Sequence, residues 1–247
     1  MKKGLLVTAI GIILAGCSSN ETEEVMIMAA ASLNDAVDEL IESYEQNHDV
    51  HIKVNYGSSG QLRQQILQGA PADLFLSASI ADMEEVVDVE GVESSTTLIE
   101  NTLVLIAAPE IAPSLTSWAD LTTATYQGLA IGETETVPAG RYGKQALESM
   151  GIFADIEDKL IVGKDVRQVL TYVQTGNADV GIVYETDARV AGDAVTIVAE
   201  APANSHDSIH YPIGLLTTND SAAVLYEWLQ QDEAIATFES YGFQKGE

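Results

Sequence analysis

Residues 25–60, VMIMAAASLNDAVDELIESYEQNHDVHIKVNYGSSG, decide the fold. Residues 25–31 form an apolar run short enough for a buried strand. Leu33, Ala36, Val37, Leu40, Ile41 and Tyr44 then recur at the spacing of one helix face. Residues 51–56 alternate as a second strand, and Gly57-Ser58-Ser59-Gly60 opens another helix. A strand, a helix and a strand within about 30 residues make a crossover unit, which places the two strands parallel in one sheet.

The same rhythm continues on both sides of a break. Residues 61–68 read as a helix stopped by Gly69, and residues 73–77 as a strand. The apolar run 103–108 ends at Pro109, where the chain is expected to leave its first lobe. A second series follows: strand 128–132, helix 139–150 ended by Gly151, strand 160–162, helix 165–175 ended by Gly176, and strand 178–184. Residues 201–210 are polar, and strand 213–216 leads back to helices 222–231 and 234–241. The expected architecture is α/β with two lobes, one from residues 25–103 and 212–247 and the other from 104–211. Two crossings between lobes make a hinge, with a ligand cleft between them. The acidic stretch 82–93 reads as a solvated helix face and loop.

Ahead of residue 25 stand Lys2-Lys3, an apolar run from Leu5 to Ala15 and Leu14-Ala15-Gly16-Cys17, the pattern of an export signal over residues 1–16. That run falls well short of the roughly 20 residues of a membrane-spanning helix. Cys17, the single cysteine, follows Leu-Ala-Gly as in a bacterial lipobox, so it is expected to carry the lipid anchor, with a tether to residue 24. No disulfide is then possible, and stability must come from the core. Without Lys2 and Lys3 the chain has nine basic residues against 38 acidic ones, a net charge of −29, which argues against nucleic acid as a partner.

Five places could carry chemistry, and each lies where a strand ends or a helix begins, the edge on which open α/β sheets bind ligands. Ser32, with Asp35 three residues on, resembles a capping box. Gly57-Ser58-Ser59-Gly60 offers hydroxyls and backbone N–H groups that could converge as a nest. Val137-Pro138-Ala139-Gly140 and Asp165-Val166-Arg167 open helices, and Tyr184 ends a strand. A hydrolase elbow fails because Gln61 stands where G-x-S-x-G needs glycine, and a P-loop fails because Gln145 follows Gly143-Lys144. His48 and His51, and the group His206, Asp207 and His210, read as surface histidines rather than a cation site.

In order along the chain, several segments resemble the molybdate-binding proteins of ABC transporters. These are Ala29-Ala30-Ala31-Ser32-Leu33, Ser58-Ser59-Gly60, residues 68–78 (QGAPADLFLSA), Asn101-Thr102-Leu103-Val104, Val137-Pro138-Ala139-Gly140-Arg141-Tyr142, Asp165-Val166-Arg167, Gly181-Ile182-Val183-Tyr184, Tyr211-Pro212 and Tyr241-Gly242-Phe243. The resemblance spans nearly all of the chain after the signal. It implies the type II periplasmic binding protein fold, each lobe a mostly parallel sheet flanked by helices. It also implies a ligand set: the hydroxyls of Ser32, Ser59 and Tyr184 and the backbone N–H groups near Ala139 and Val166.

The expected ligand is molybdate or tungstate, with sulfate, phosphate or an organic anion as the alternative. The expected partners are an ABC permease and, through Cys17, the membrane. A monomer outside the cytoplasm is expected, with no catalytic residue and no cofactor.

Overall fold

The computed structural model describes residues 23–246, so the signal segment, Cys17 and most of the tether lie outside the described residues. The chain begins as β1 (Glu23–Ala30), α1 (Asn34–Glu45), β2 (Val50–Gly57), α2 (Ser59–Leu67), β3 (Leu74–Leu76), α3 (Ile80–Glu90) and β4 (Ser94–Glu100). It crosses into β5 (Leu103–Ala107), β6 (Leu129–Gly132), α4 (Pro138–Ser149), α5 (Phe153–Ile156), β7 (Leu160–Gly163), α6 (Val166–Gln174), β8 (Val180–Tyr184), α7 (Glu185–Ala191) and β9 (Thr196–Glu200). It returns through β10 (His210–Leu215), α8 (Asp220–Leu229), α9 (Asp232–Ser240) and β11 (Gln244–Lys245).

Two sheets result, ordered β11-β4-β10-β3-β1-β2 and β7-β6-β8-β5-β9. The two α/β lobes are as expected, and each sheet is mixed, with most of its strands pointing the same way. β1, β2 and β3 pair in parallel in the first sheet, as do β6, β7 and β8 in the second. The chain runs out through β4 and β5 and back through β9 and β10. Outgoing and returning strands therefore lie side by side and opposed: β10 pairs antiparallel with β4, and β9 with β5.

The crossings fall slightly apart from their expected places. Leu103, expected in the first lobe, pairs with Tyr184 in the second sheet. Tyr211, expected in the second lobe, pairs with Ile99 in the first. The outward hinge is thus the two residues Asn101 and Thr102.

Burial follows the sequence periods. β1 turns Val25, Ile27 and Ala29 toward α1, whose buried face is Ala36, Val37, Leu40 and Tyr44. Its opposite face sends Met28 into a smaller cluster with Leu62, Ile66, Phe75, Met83 and Val86 beneath α2 and α3. β5 and β8 are buried along their whole length, which suits their uninterrupted apolar runs. Each such fully buried Val, Leu or Ile contributes roughly 1.5–3 kcal/mol. This rigid packing holds the strand ends and helix starts that face the cleft.

Candidate functional site

Between the lobes lies a small cavity of about 10 Å³, lined by Ser32, Ser59, Ala139, Val166 and Tyr184 together with Ala30, Ala31, Gly57, Ser58, Ala78, Val137 and Pro138. All five residues singled out from the sequence therefore line one space. Each arrives by a different element. Ser32 sits in the single 3-10 turn Ala31–Leu33 between β1 and α1, Ser59 starts α2, Ala139 follows Pro138 at the start of α4, Val166 starts α6 and Tyr184 ends β8.

The first N–H groups of a helix have no partner within it, and each N-terminus carries the equivalent of roughly half a positive charge. Three such ends, those of α2, α4 and α6, border the cavity. No lining residue carries an ionisable carboxylate, ammonium or guanidinium group.

The hydroxyls are arranged as donors. Ser59 Oγ accepts from Ala78 N at 2.9 Å, leaving its own proton to give. Ser32 Oγ lies 2.9 Å from Tyr211 Oη. Tyr184 Oη and Ser58 Oγ are buried and have no hydrogen-bond partner among the described residues. A buried hydroxyl left unpaired costs about 1–3 kcal/mol, which makes both groups candidates for a ligand. Burial holds the Tyr184 phenol well above its usual pKa, so it remains a protonated donor.

Ser58, a hydroxyl of the Gly57-Ser58-Ser59-Gly60 candidate, was not in the ligand set that the resemblance implies.

Two local readings change. Ser32 does not cap a helix with Asp35: its hydroxyl meets Tyr211, and Asp35 pairs across the cleft with Arg167. Gly57 and Gly60 form no left-handed nest, since neither has positive φ. Gly60 is instead a place of close approach. Its N–H donates 3.0 Å to Thr136 O of the opposite lobe, and a Cβ there would meet that oxygen at 2.6 Å.

Charged residues stand around the cavity rather than in it. Asp82, expected on a solvated face, is fully buried, because Arg63 and Arg141 each reach its carboxylate at 3.1 Å. Arg141 comes from α4, so this pair also joins the lobes. On the other flank Arg167 links Asp35 of α1 with buried Asp187 of α7, the latter at 2.8 Å. Burial pushes the Asp187 carboxyl up to about 7 against the opposing pull of Arg167. These arginines are already neutralised by carboxylates, so the field in the cavity is left to helix ends and hydroxyls.

The histidines do not gather. His48 stacks on Tyr44, with ring centroids 3.8 Å apart, and His51 meets Glu45. His206 meets the Asp207 carbonyl, and His210 meets Glu100.

Comparison with known proteins agrees with this layout. The family model described as bacterial extracellular solute-binding protein matches residues 25–244. The chain is 43% identical over 245 residues to a protein of Bacillus subtilis (strain 168) named "Putative ABC transporter substrate-binding lipoprotein YvgL", covering 94% of this chain and 93% of the relative. It is 34% identical to the molybdate-binding protein ModA of Escherichia coli (strain K12), covering 95% and 94% respectively. The solved periplasmic molybdate-binding protein of Azotobacter vinelandii shares the fold with a TM-score of 0.78 at 21% identity, over 90% of this chain and all of that one.

Proposed function

The chain belongs to the bacterial extracellular solute-binding proteins, and from that premise we propose that its interlobe cavity captures molybdate and presents it to an ABC transporter. Tungstate, the same shape and charge, is taken with it. The hydroxyls of Ser32, Ser59 and Tyr184 and the N–H groups of Ala139 and Val166 are the proposed ligands. Cys17, outside the described residues, is the proposed lipid attachment site, in keeping with the lipoprotein name of the Bacillus relative.

The observation that carries this reading is a cavity lined by hydroxyls and helix N-termini, without a charged side chain, in which two buried hydroxyls lack a partner among the described residues. Such a lining offers several protons and no carboxylate to receive one. A fully deprotonated dianion satisfies it. A hydrogen phosphate would leave its own proton unpaired, which sites of this kind reject strongly.

The surface charge does not oppose the capture. Exposed carboxylates beyond a Debye length of about 10 Å at 0.1 M salt are largely screened and act mainly on encounter rate.

A thermal-shift panel of molybdate, tungstate, sulfate, phosphate and small organic anions tests the proposal. At 100 times Kd a ligand stabilises by about 2.7 kcal/mol, which for a chain of this size is a rise of roughly 5–10 °C. Molybdate and tungstate should give that rise, sulfate less and phosphate none. A rise with phosphate or an organic anion alone would overturn it.

A further inference from the structure

The hinge reaches into the cavity through a chain of hydrogen bonds. Asn101, first residue of the two-residue outward hinge, accepts on Oδ1 from Thr102 N at 2.9 Å. A backbone N–H can only donate, so this bond fixes which end of the amide is oxygen. The amide nitrogen must then face the other way. It donates to Thr186 Oγ1 in α7 at 2.9 Å and to Tyr211 Oη at the start of β10 at 3.3 Å.

Tyr211 Oη has one further partner among the described residues, Ser32 Oγ at 2.9 Å. Asn101 can only donate to Tyr211 Oη, so Ser32 Oγ is the acceptor left within reach of the Tyr211 proton. Ser32 Oγ, having accepted, has its own proton left over, and the cavity it lines is where that proton can find an acceptor. Tyr211 is fully buried and is held edge-on by Tyr184 and Phe243, with ring centroids 5.8 and 5.5 Å away, so its hydroxyl has little freedom to leave the chain.

We propose that Asn101 is a specificity-determining positioning residue: through Tyr211 it sets the proton order that leaves Ser32 its own proton to give to the bound anion. This rests on the oxyanion reading of the cavity. A serine that must donate to Tyr211 has only lone pairs to offer the cavity, which suit a hydrogen phosphate and repel molybdate. A serine that accepts from Tyr211 keeps its proton for the anion. The three groups are brought together from the turn after β1, the outgoing hinge and the returning strand, so the order is complete only when both crossings are in place.

Asn101→Asp is the test, because it keeps Oδ1 for Thr102 and turns the donor end into an acceptor. Tyr211 then donates toward residue 101, Ser32 donates to Tyr211, and a Ser32 lone pair faces the cavity. Titration calorimetry near pH 8 compares molybdate with hydrogen phosphate, both carrying about two charges there, so that the added carboxylate weighs equally on each.

The expected result is a fall of at least tenfold in the ratio of molybdate to phosphate affinity, and no change beyond about twofold when the same substitution is made in a Ser32→Ala protein. A ratio unchanged by Asn101→Asp, or one that shifts equally without the Ser32 hydroxyl, overturns the proposal. If Asn101→Asp does not fold, Tyr211→Phe keeps the ring packing while cutting the chain. It should lower the ratio in the same direction, and an unchanged ratio is equally fatal. A native protein that binds no molybdate at all would instead remove the cavity reading on which the relay depends.

Discussion

Tyr184→Phe should make the empty protein more stable and the binding weaker. Tyr184 Oη is buried at the end of β8 without a protein partner, so deleting it removes a desolvated hydroxyl and leaves no void larger than one oxygen. The ring stays packed against Tyr211, 5.8 Å away. The gain in the unliganded state should be about 1 kcal/mol or somewhat more, within the 1–3 kcal/mol range for an unpaired buried group. The complex loses a hydrogen bond to a charged ligand, worth about 1.5–3 kcal/mol. At 1.4 kcal/mol per factor of ten, that is a rise in Kd of roughly 10- to 150-fold.

Thermal unfolding without ligand and calorimetric titration with molybdate measure the two halves separately. Because the phenol stays protonated far above neutral pH, neither effect should vary between about pH 6 and 9. A less stable empty variant, or an unchanged Kd, would refute the idea that this hydroxyl is kept unpaired for the ligand.

Ser59→Ala should weaken molybdate by a similar 1.5–3 kcal/mol, but here the empty protein should lose stability, since Ala78 N loses its 2.9 Å acceptor. The same two assays check it. Gly60→Ala should spare the empty protein in an open state and hinder closure, because its Cβ would stand 2.6 Å from Thr136 O of the other lobe. At an overpacking cost of about 1–3 kcal/mol, affinity by calorimetry should fall roughly 5- to 150-fold with little change in the Tm of the ligand-free protein. Asp187→Asn tests the raised carboxyl. The folded protein holds this proton up to about pH 7 while the unfolded chain releases it near the ordinary carboxylate pKa. Native stability relative to the variant should therefore fall as pH rises from about 4 to 7, read as the Tm difference across that range.

What could be foreseen from the residues divides along physical lines. The alternation in residues 25–60 appears directly in β1, α1, β2 and α2, because periodicity records which face is buried. β4 went unread because SSTTLIE is polar and exposed over its first half. β9, an edge strand half open to solvent, shows no alternation either.

In the site, helix starts were visible from Pro138, Asp165 and the Ser58-Ser59 pair, while the choice of five particular residues came from the family resemblance. What local pattern cannot hold is a partner far along the chain. Ser32 meets Tyr211 across 179 residues, and Asp35 meets Arg167 across 132. Asp82 looked solvated for the same reason: the arginine that draws it across the cleft lies 59 residues away.

The claim at the centre is that neutral donors in one interlobe cavity select a fully deprotonated oxyanion. Titration calorimetry of the native protein with molybdate and with phosphate, near pH 7 where phosphate still carries a proton, tests it most directly. The account predicts one molybdate bound per chain at micromolar Kd or tighter and no measurable heat from phosphate. Phosphate binding as tightly as molybdate would contradict it.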